Sequence, residues 1–360
     1  MRHLSVPTKR TSEVRLALQR RGWLAQGHRI KDLGDRRGIP LDSGAPEDLG
    51  VEFSRFALVD LLPEDVKAKH WHEVLEHMVG QTTFRTHADQ WPDAYDVVGD
   101  LILLKIQSSV MGHATTIAEA LIEHHPRIRG VLMDRGVVGT YRVRDLLPLA
   151  WREGVRATTV TRHREHGLDL SIDPTEVYFS PRLAEERLRM LNTLTQWRDA
   201  LGRPLAIIDA YAGVGPNLSL LNSRGLTSEI VANDLNPTAL PFLKVNLPDG
   251  TRILNQDGRS LREQPELQGR FDVVIVNLPH ESLGHLSDLR PLLRPDSGMI
   301  IGWAIVQGTG DQPPPTSLVE GTIHDMGLDA IRTVRVERSR GFSTTRTRVR
   351  FEITFMPRQP

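Results

Sequence analysis

LAIIDAYAGVGPNLSLLNSRG (205–225) decides the fold of this 360-residue chain. Leu205 to Asp209 is an apolar run ending in an acid, then comes the turn Gly213-Val214-Gly215, then a helical stretch. An apolar run followed at once by a helix reads as a strand buried on both faces. Working outward, a helix over 182–201 precedes it, and strand 228–233, helix 237–246, strand 251–255 and strand 271–277 come after. Strands alternating with helices predict an α/β domain with a parallel, doubly wound sheet. Such sheets bind ligands at the carboxyl ends of their strands. The glycines let the backbone approach a ligand, and the next helix offers oriented N–H groups. Leu218 stands where a dinucleotide fingerprint has its third glycine, so this turn is not tuned to a diphosphate.

The other strand ends carry polar groups in order. EIVAND ends in Asp234, placed to accept both ribose hydroxyls of an adenosine, and TRILNQDG ends in Asp257, placed to meet an adenine amino group. Both acids could equally cap the turns that follow them. RFDVVIVNLPH ends at Asn277-Leu278-Pro279. With Ala212, Leu235 and Gly258 beside them, Asp209, Gly213, Gly215, Asp234, Asp257 and Asn277 compose the expected site for S-adenosyl-L-methionine in a class I Rossmann-like methyltransferase domain. Methyltransferases that act on planar nitrogens carry (Asn/Asp)-Pro-Pro-(aromatic) at this fourth strand end. Leu278 and His280 replace one Pro and the aromatic residue, so a ring nitrogen remains the favoured target while stacking is not implied.

The rest of the chain points to a polyanionic partner. Lys plus Arg and Asp plus Glu are equal at 45 each, yet residues 1–40 hold ten basic and three acidic residues and 331–350 seven and one. Phosphate contacts are local and screened beyond about 8 Å, so such patches matter more than net charge. The absence of cysteine excludes disulfides, zinc ribbons and thiol nucleophiles. His163 and His166 of HREHG lack a third ligand at convincing spacing, so no metal is expected. His70-Trp71-His72 reads as surface histidines around a packing tryptophan. No stretch approaches the roughly 18 apolar residues of a membrane span, and a cytoplasmic monomer with no membrane partner is expected. Helices are predicted at 8–22, with Thr11 or Ser12 as N-cap and Gly22 as stop, and at 62–79. Residues 42–50 read as a linker, which divides the chain into a basic module at 1–45, an α+β RNA-binding domain at 50–170 and the methyltransferase domain at 171–360.

GDLILLKI (99–106), HREHG (163–167), VYFSPRLAEER (177–187), DAYAGVGP (209–216), NDLNP (233–237) and VNLPHESLGHL (276–286) stand in the order and spacing of a known family. The chain resembles the archaeal and eukaryotic tRNA (guanine-N1)-methyltransferases, which modify the guanosine 3′ of the anticodon, and the likeness covers nearly the whole chain. The 1–45 module is similar to that family's small domain, which checks the outer corner of the tRNA. A sister family, the wybutosine-pathway aminocarboxypropyltransferases, shares FSPR-x3-ER but generally lacks the NLP element. Some archaeal members methylate a tricyclic wybutosine intermediate. A third reading is an RNA-binding protein with a regulatory cofactor pocket, against which the intact acids argue.

The resemblance implies Glu186 as the base for guanine N1, Arg144 as the cation for O6, Asn277 as orienter of the guanine and Pro279 as the stiffener of its loop. Arg142, two residues away on the same strand face, is the other match for the O6 cation. Spacing alone makes Arg182 and Glu186 an ordinary i,i+4 surface pair. Arg182, Arg187 and His163 are the candidate substrate contacts, and the Arg-rich 331–350 run is expected to form closing strands with alternate arginines toward tRNA phosphates.

Overall fold

The computed structural model describes residues 1–25, 27–63, 70–295, 297–307, 314–328, 331–339 and 346–355. It divides into two compact units, Met1–Met78 and Val79–Pro360.

In the first unit, β1 (Arg2–Pro7) is followed by α1 (Thr11–Arg20), β2 (Lys31–Asp32), β3 (Arg36–Pro40) and β4 (Ala57–Asp60), with sheet order β2-β3-β1-β4. Val14 and Leu18, one turn apart on α1, join Leu4, Val6 and Ile39 in the core. Residues 8–10 form a 3₁₀ turn, so the helix is shorter than expected. Neither Thr11 nor Ser12 caps it: Arg10 holds the cap position, and the Thr11 hydroxyl donates to the Thr8 carbonyl at 2.9 Å. Gly22, at φ 71°, lies just past its end. The expected linker is part of this unit. Ala45, Leu49, Phe53 and Phe56 are buried in its core and β4 pairs with β1, so the module does not end at residue 45. A further helix, α2 (Trp71–Val79), begins later than expected and buries Trp71 and Leu75; positions 64–69 of the expected helix lie outside the described residues.

The second unit opens with α3 (Gln81–Thr86) and a sheet of β5 (Tyr95–Val98), β6 (Leu101–Leu104), β7 (Gly130–Val138) and β8 (Val143–Trp151), with α4 (Ala114–His124) between β6 and β7. β9 (Thr161–Glu165) and β10 (Leu168–Ile172) make a hairpin. No unit boundary falls at the expected 170. Val98, Leu101, Leu103 and Leu132 share one core with Val177, Phe179, Val214 and Ala239, which fuses the middle segment to the large sheet and its helices.

The remainder of the unit comprises α5 (Ala184–Leu201), β11 (Leu205–Asp209), α6 (Pro216–Ser223), β12 (Thr227–Asn233), α7 (Leu240–Asn246), β13 (Arg252–Leu254), β14 (Val273–Val276), α8 (Leu286–Leu289), β15 (Gly298–Gln307), α9 (Pro315–Asp325), β16 (Ile331–Arg338) and β17 (Arg346–Phe355). They build a seven-stranded sheet, β13-β12-β11-β14-β15-β17-β16, in which β13 to β15 are parallel and β17 is antiparallel to its neighbours. The expected doubly wound α/β fold is therefore present, and its order reverses between β11 and β14, the kind of switch point at which open α/β sheets bind ligands. Val349, Phe351, Ile353 and Phe355 send one face of β17 into the core. No described helix is long and apolar enough to cross a membrane.

A fragment comprising Met1–Ala45 lacks β4, Phe53 and Phe56, and burial of one such side chain contributes about 2–3 kcal/mol. It is expected to show no cooperative thermal transition by circular dichroism, whereas Met1–Met78 gives one.

Candidate active site

The crevice is built from strand ends. Asp209 closes β11, fully buried, and accepts from the Tyr211 N–H and the Asn217 side-chain amide, both at 3.1 Å. Burial pushes its carboxyl up to about 7 against those two hydrogen bonds, with Asp234 adding to the rise. Asp234 lies just past β12 and accepts from Gly213 N–H at 2.6 Å and Asn236 N–H at 2.9 Å. Its carboxyl is raised by burial, which these donors oppose. A carboxylate has about four acceptor positions, so two remain for hydroxyl donors. Gly213 and Gly215 take φ values of 56° and 81°, a region that other L residues rarely enter. Ala212 is buried between them and β12, its N–H donating to the Asn233 carbonyl at 2.8 Å, while Leu235 stands out at 42% exposure.

Asp257 caps its own turn through Arg259 N–H at 2.9 Å, and the Arg259 guanidinium at 2.7 Å holds its carboxyl down at about 2. The capping alternative read from the sequence is thus realised at this position. A Cβ on Gly258 would stand 2.5 Å from the Tyr211 hydroxyl, so only glycine leaves that phenol its place beside His285 Nδ1. Acids at two strand ends and glycine-lined backbone form a donor set that fits an adenosine-bearing cofactor.

The catalytic candidates converge on β15. Glu186 is 5% exposed on α5 and accepts from Trp303 Nε1 at 3.4 Å. Pro279 lies in the half-buried Asn277–Pro279 loop after β14, and its carbonyl accepts from Ile305 N–H at 2.7 Å. The loop is fastened again where Ser282 donates to the Leu278 carbonyl at 2.7 Å. Trp303 and Ile305 are alternate residues of β15, so Glu186 and the loop are anchored two residues apart on one strand.

Other candidates are placed differently. Arg182 lies in the 3₁₀ turn Pro181–Leu183, is 69% exposed and donates to Asp96 at 2.6 Å, so it makes no i,i+4 pair with Glu186. Arg187 is buried, bound to Glu165 at 3.3 Å and the Ser180 carbonyl at 3.1 Å, and it stacks over Phe179. Burial lowers its guanidinium, and no phosphate reaches such a position. His163 accepts from Gly99 N–H at 3.1 Å and lies edge-on to Phe179, a structural partner of the middle sheet. Arg144 is clamped by Asp96 at 3.1 Å and Asp134 at 3.0 Å, bordering a cleft of about 340 Å³ with Asn236 and Thr238. Arg142 is not on the β8 face. It sits at φ 54° in the preceding turn, and its charge, with that of Arg346, reinforces burial in holding the His280 imidazole below its usual value.

A model of the TRM5/TYW2 methyltransferase domain matches residues 161–310, and a TYW2 N-terminal domain model matches 75–153. Over these residues the chain is similar to the TRM5/TYW2 methyltransferase domain. The tRNA (guanine(37)-N(1))-methyltransferase Trm5b of Pyrococcus abyssi is 33% identical over 199 residues, 54% of this chain and 56% of that protein. The tRNA (guanine(37)-N(1))-methyltransferase 1 of Phaeodactylum tricornutum is 28% identical over 298 residues, 77% of this chain and 66% of its own. The chain thus spans less than two thirds of either curated relative. The structure of aTrm5 with tRNALeu superposes at TM-score 0.67 over 98% of this chain and 99% of that one, with 22% identity. Pyrococcus horikoshii TYW2 superposes at 0.57 over 79% and 99%, with 17% identity. Both likenesses are of fold, and the TRM5/TYW2 match spans every strand end described above.

Sequence reasoning missed Trp303, Tyr211 and Asn217, which hydrogen-bond Glu186, His285 and Asp209 without carrying a motif of their own. Because the Asp209 carboxyl is raised by burial, the folded chain holds a proton that the unfolded chain releases above about pH 4, so this residue withdraws stability as pH rises toward 7. Asp209→Asn is expected to flatten the pH dependence of urea unfolding between pH 5 and 7.5, leaving the ligand-free protein at least as stable as wild type at the upper end.

Proposed function

We propose that the chain is a cytoplasmic tRNA (guanine-N1)-methyltransferase, which transfers the methyl group of S-adenosyl-L-methionine to N1 of the guanosine 3′ of the anticodon. The observation that carries this reading is the anchoring of Glu186 and the Asn277–Pro279 loop two residues apart on β15. Guanine N1 keeps its proton near neutral pH, so methylation there needs a base at N1 and a cation at O6. Glu186 takes the N1 proton, and the Asn277 carboxamide orients the base while Pro279 keeps the loop rigid. For O6, Arg142 is favoured over Arg144, whose guanidinium already serves Asp96 and Asp134. When bound, the cofactor supplies an electrophilic methyl group. In this reading Asp234 accepts from its ribose hydroxyls, the Gly258 backbone faces its adenine beside the self-capped Asp257, and Asp209 orders the Gly213–Gly215 turn beneath it through Tyr211 and Asn217.

The partner in this reading is tRNA. The basic residues of 1–40 in the Met1–Met78 unit take its outer corner, and the arginines of β16 the anticodon-arm phosphates, Arg332, Arg335 and Arg338 being exposed. The match of residues 75–153 to a TYW2 N-terminal domain favours one second reading, aminocarboxypropyl transfer in the wybutosine pathway. Coverage weighs against it, since the TYW2 structure spans 79% of this chain and the Trm5 complex 98%.

Incubation of an unmodified tRNA transcript with the protein and S-adenosyl-L-methionine, followed by nucleoside mass analysis, is expected to show one added methyl on that guanosine. A gain appearing only on tRNA that already carries the tricyclic base would move the protein to the second reading. Glu186→Gln is expected to keep tRNA affinity and lose at least ~100-fold in single-turnover rate; unchanged turnover removes the base role.

A further inference from the structure

The Arg-rich closing strand faces two ways. Its odd residues enter the core, while Arg348, Arg350 and Glu352 lie on the face turned to α5, where Thr193 donates to Glu352 at 2.8 Å. Arg350 is buried and neutralised by Glu352 at 3.0 Å and by Glu337 of β16 at 2.9 Å. One step along the same face comes Arg348, paired in register with Ile305, whose own N–H holds the Pro279 carbonyl. The next position on that face of β15 is Trp303, the donor to Glu186. Moving from Thr193 back to Glu186 on α5 parallels moving from Glu352 to Arg348 on β17. Arg348 therefore stands on the face of the sheet that Trp303 turns to Glu186, in register with the residue that fastens the Asn277–Pro279 loop. Its Nε is buried and has no hydrogen-bond partner among the described residues.

A buried carboxylate is ionised only at a large cost unless an opposite charge accompanies it. The groups around Glu186 are Glu185, Arg187 and Arg189 on α5, Arg348 and the Arg350–Glu352 pair on β17, Glu337 on β16, Tyr178 before α5, and the uncharged Trp303 indole on β15. His280, Arg142 and Arg346 cluster at the far end of the loop. Arg187 is pinned to Glu165. Arg189 comes within 4.0 Å of Glu186, yet it is 34% exposed and hydrogen-bonded to Glu185 at 3.0 Å, so water screens it. Among the described residues, Arg348 is the half-buried one of the cations around Glu186 that forms no ion pair.

We propose that Arg348 is the positioning residue and countercharge of Glu186, keeping the carboxylate ionised beside the Asn277–Pro279 loop until it takes up the N1 proton. This rests on the base role given above to Glu186. When the N1–H bond breaks and the Glu186 O–H bond forms, the electron pair stays on the base. Arg348 keeps its own proton throughout, so its positive charge is released from the carboxylate at the moment the guanine turns anionic. In the ligand-free protein the two charges act on each other without a direct ion pair: burial pulls the Arg348 guanidinium down, and the fields of Glu186 and Tyr178 pull it back up.

The test uses the full chain. Infrared titration of the cofactor-free protein identifies the Glu186 carboxylic acid band as the one missing from E186Q. In Arg348→Gln its midpoint is expected to rise by about one pH unit or more, which is a tenfold change in ionisation. In Arg348→Lys, which restores the charge, it returns most of the way. Arg348→Met keeps the stem's packing and replaces the Gln variant should that one not fold. The acid limb of the single-turnover pH profile on tRNA is expected to move up by the same amount, with tRNA and S-adenosyl-L-methionine affinities within twofold of wild type. An infrared midpoint that stays where wild type has it overturns the proposal, whatever rate is lost. A midpoint that moves while no form methylates tRNA leaves the countercharge standing and removes the reaction assigned to the site.

Discussion

The hydrogen bond from Ile305 to the Pro279 carbonyl carries β14–β15 pairing beyond the end of β14, and the site depends on that extension. Without it the Asn277–Pro279 segment would be a free loop at a strand end. With it, the loop inherits the rigidity of the sheet, and Trp303, on the same face of β15, brings α5 and Glu186 to the same place. Preorganised polar groups stabilise a transition state because they need not reorganise when charge develops. Here a central strand of a buried sheet supplies that order, and the helix contributes the Glu186 carboxylate.

The cofactor side obeys a different logic. Asp209 is buried and Asp234 half-buried, and three of their four hydrogen bonds come from backbone N–H groups, those of Tyr211, Gly213 and Asn236. They hold the turn open in the conformation that glycine permits, so the carboxylates shape the backbone before any ligand arrives. Ionisation of Asp209 is resisted by the same burial that makes it a firm scaffold. Tyr211 and Gly258 extend the arrangement to the third strand end, where a single added methyl group would displace the phenol from His285.

Much of this was legible in the sequence. Apolar runs ending in Asp209, Asp234 and Asn277 fix strand ends because the chain must leave a buried sheet where polar groups appear, and the parallel sheet came from the alternation with helices. What was hidden is tertiary. Nothing local distinguishes Arg182, exposed on Asp96, from Arg187, buried on Glu165, five residues apart in one charged segment. The 42–50 stretch looks like a linker by composition, yet Leu49, Phe53 and Phe56 draw it and the residues after it into the first core. Likewise the arginines of β17 resemble a phosphate-binding run until the register shows Arg350 neutralised and Arg348 turned inward.

The core shared by Val98, Leu101 and Leu132 with Phe179, Val214 and Ala239 bears on how this half of the chain can change over generations. Cutting or grafting near residue 170 would leave apolar faces of both pieces against water. Lineages that altered the segment holding β5 to β8 would have had to alter the glycine-turn side in step. The middle sheet and the glycine-turn side are thereby inherited as one block, and change is more readily reached by altering side chains within that block than by exchanging its halves.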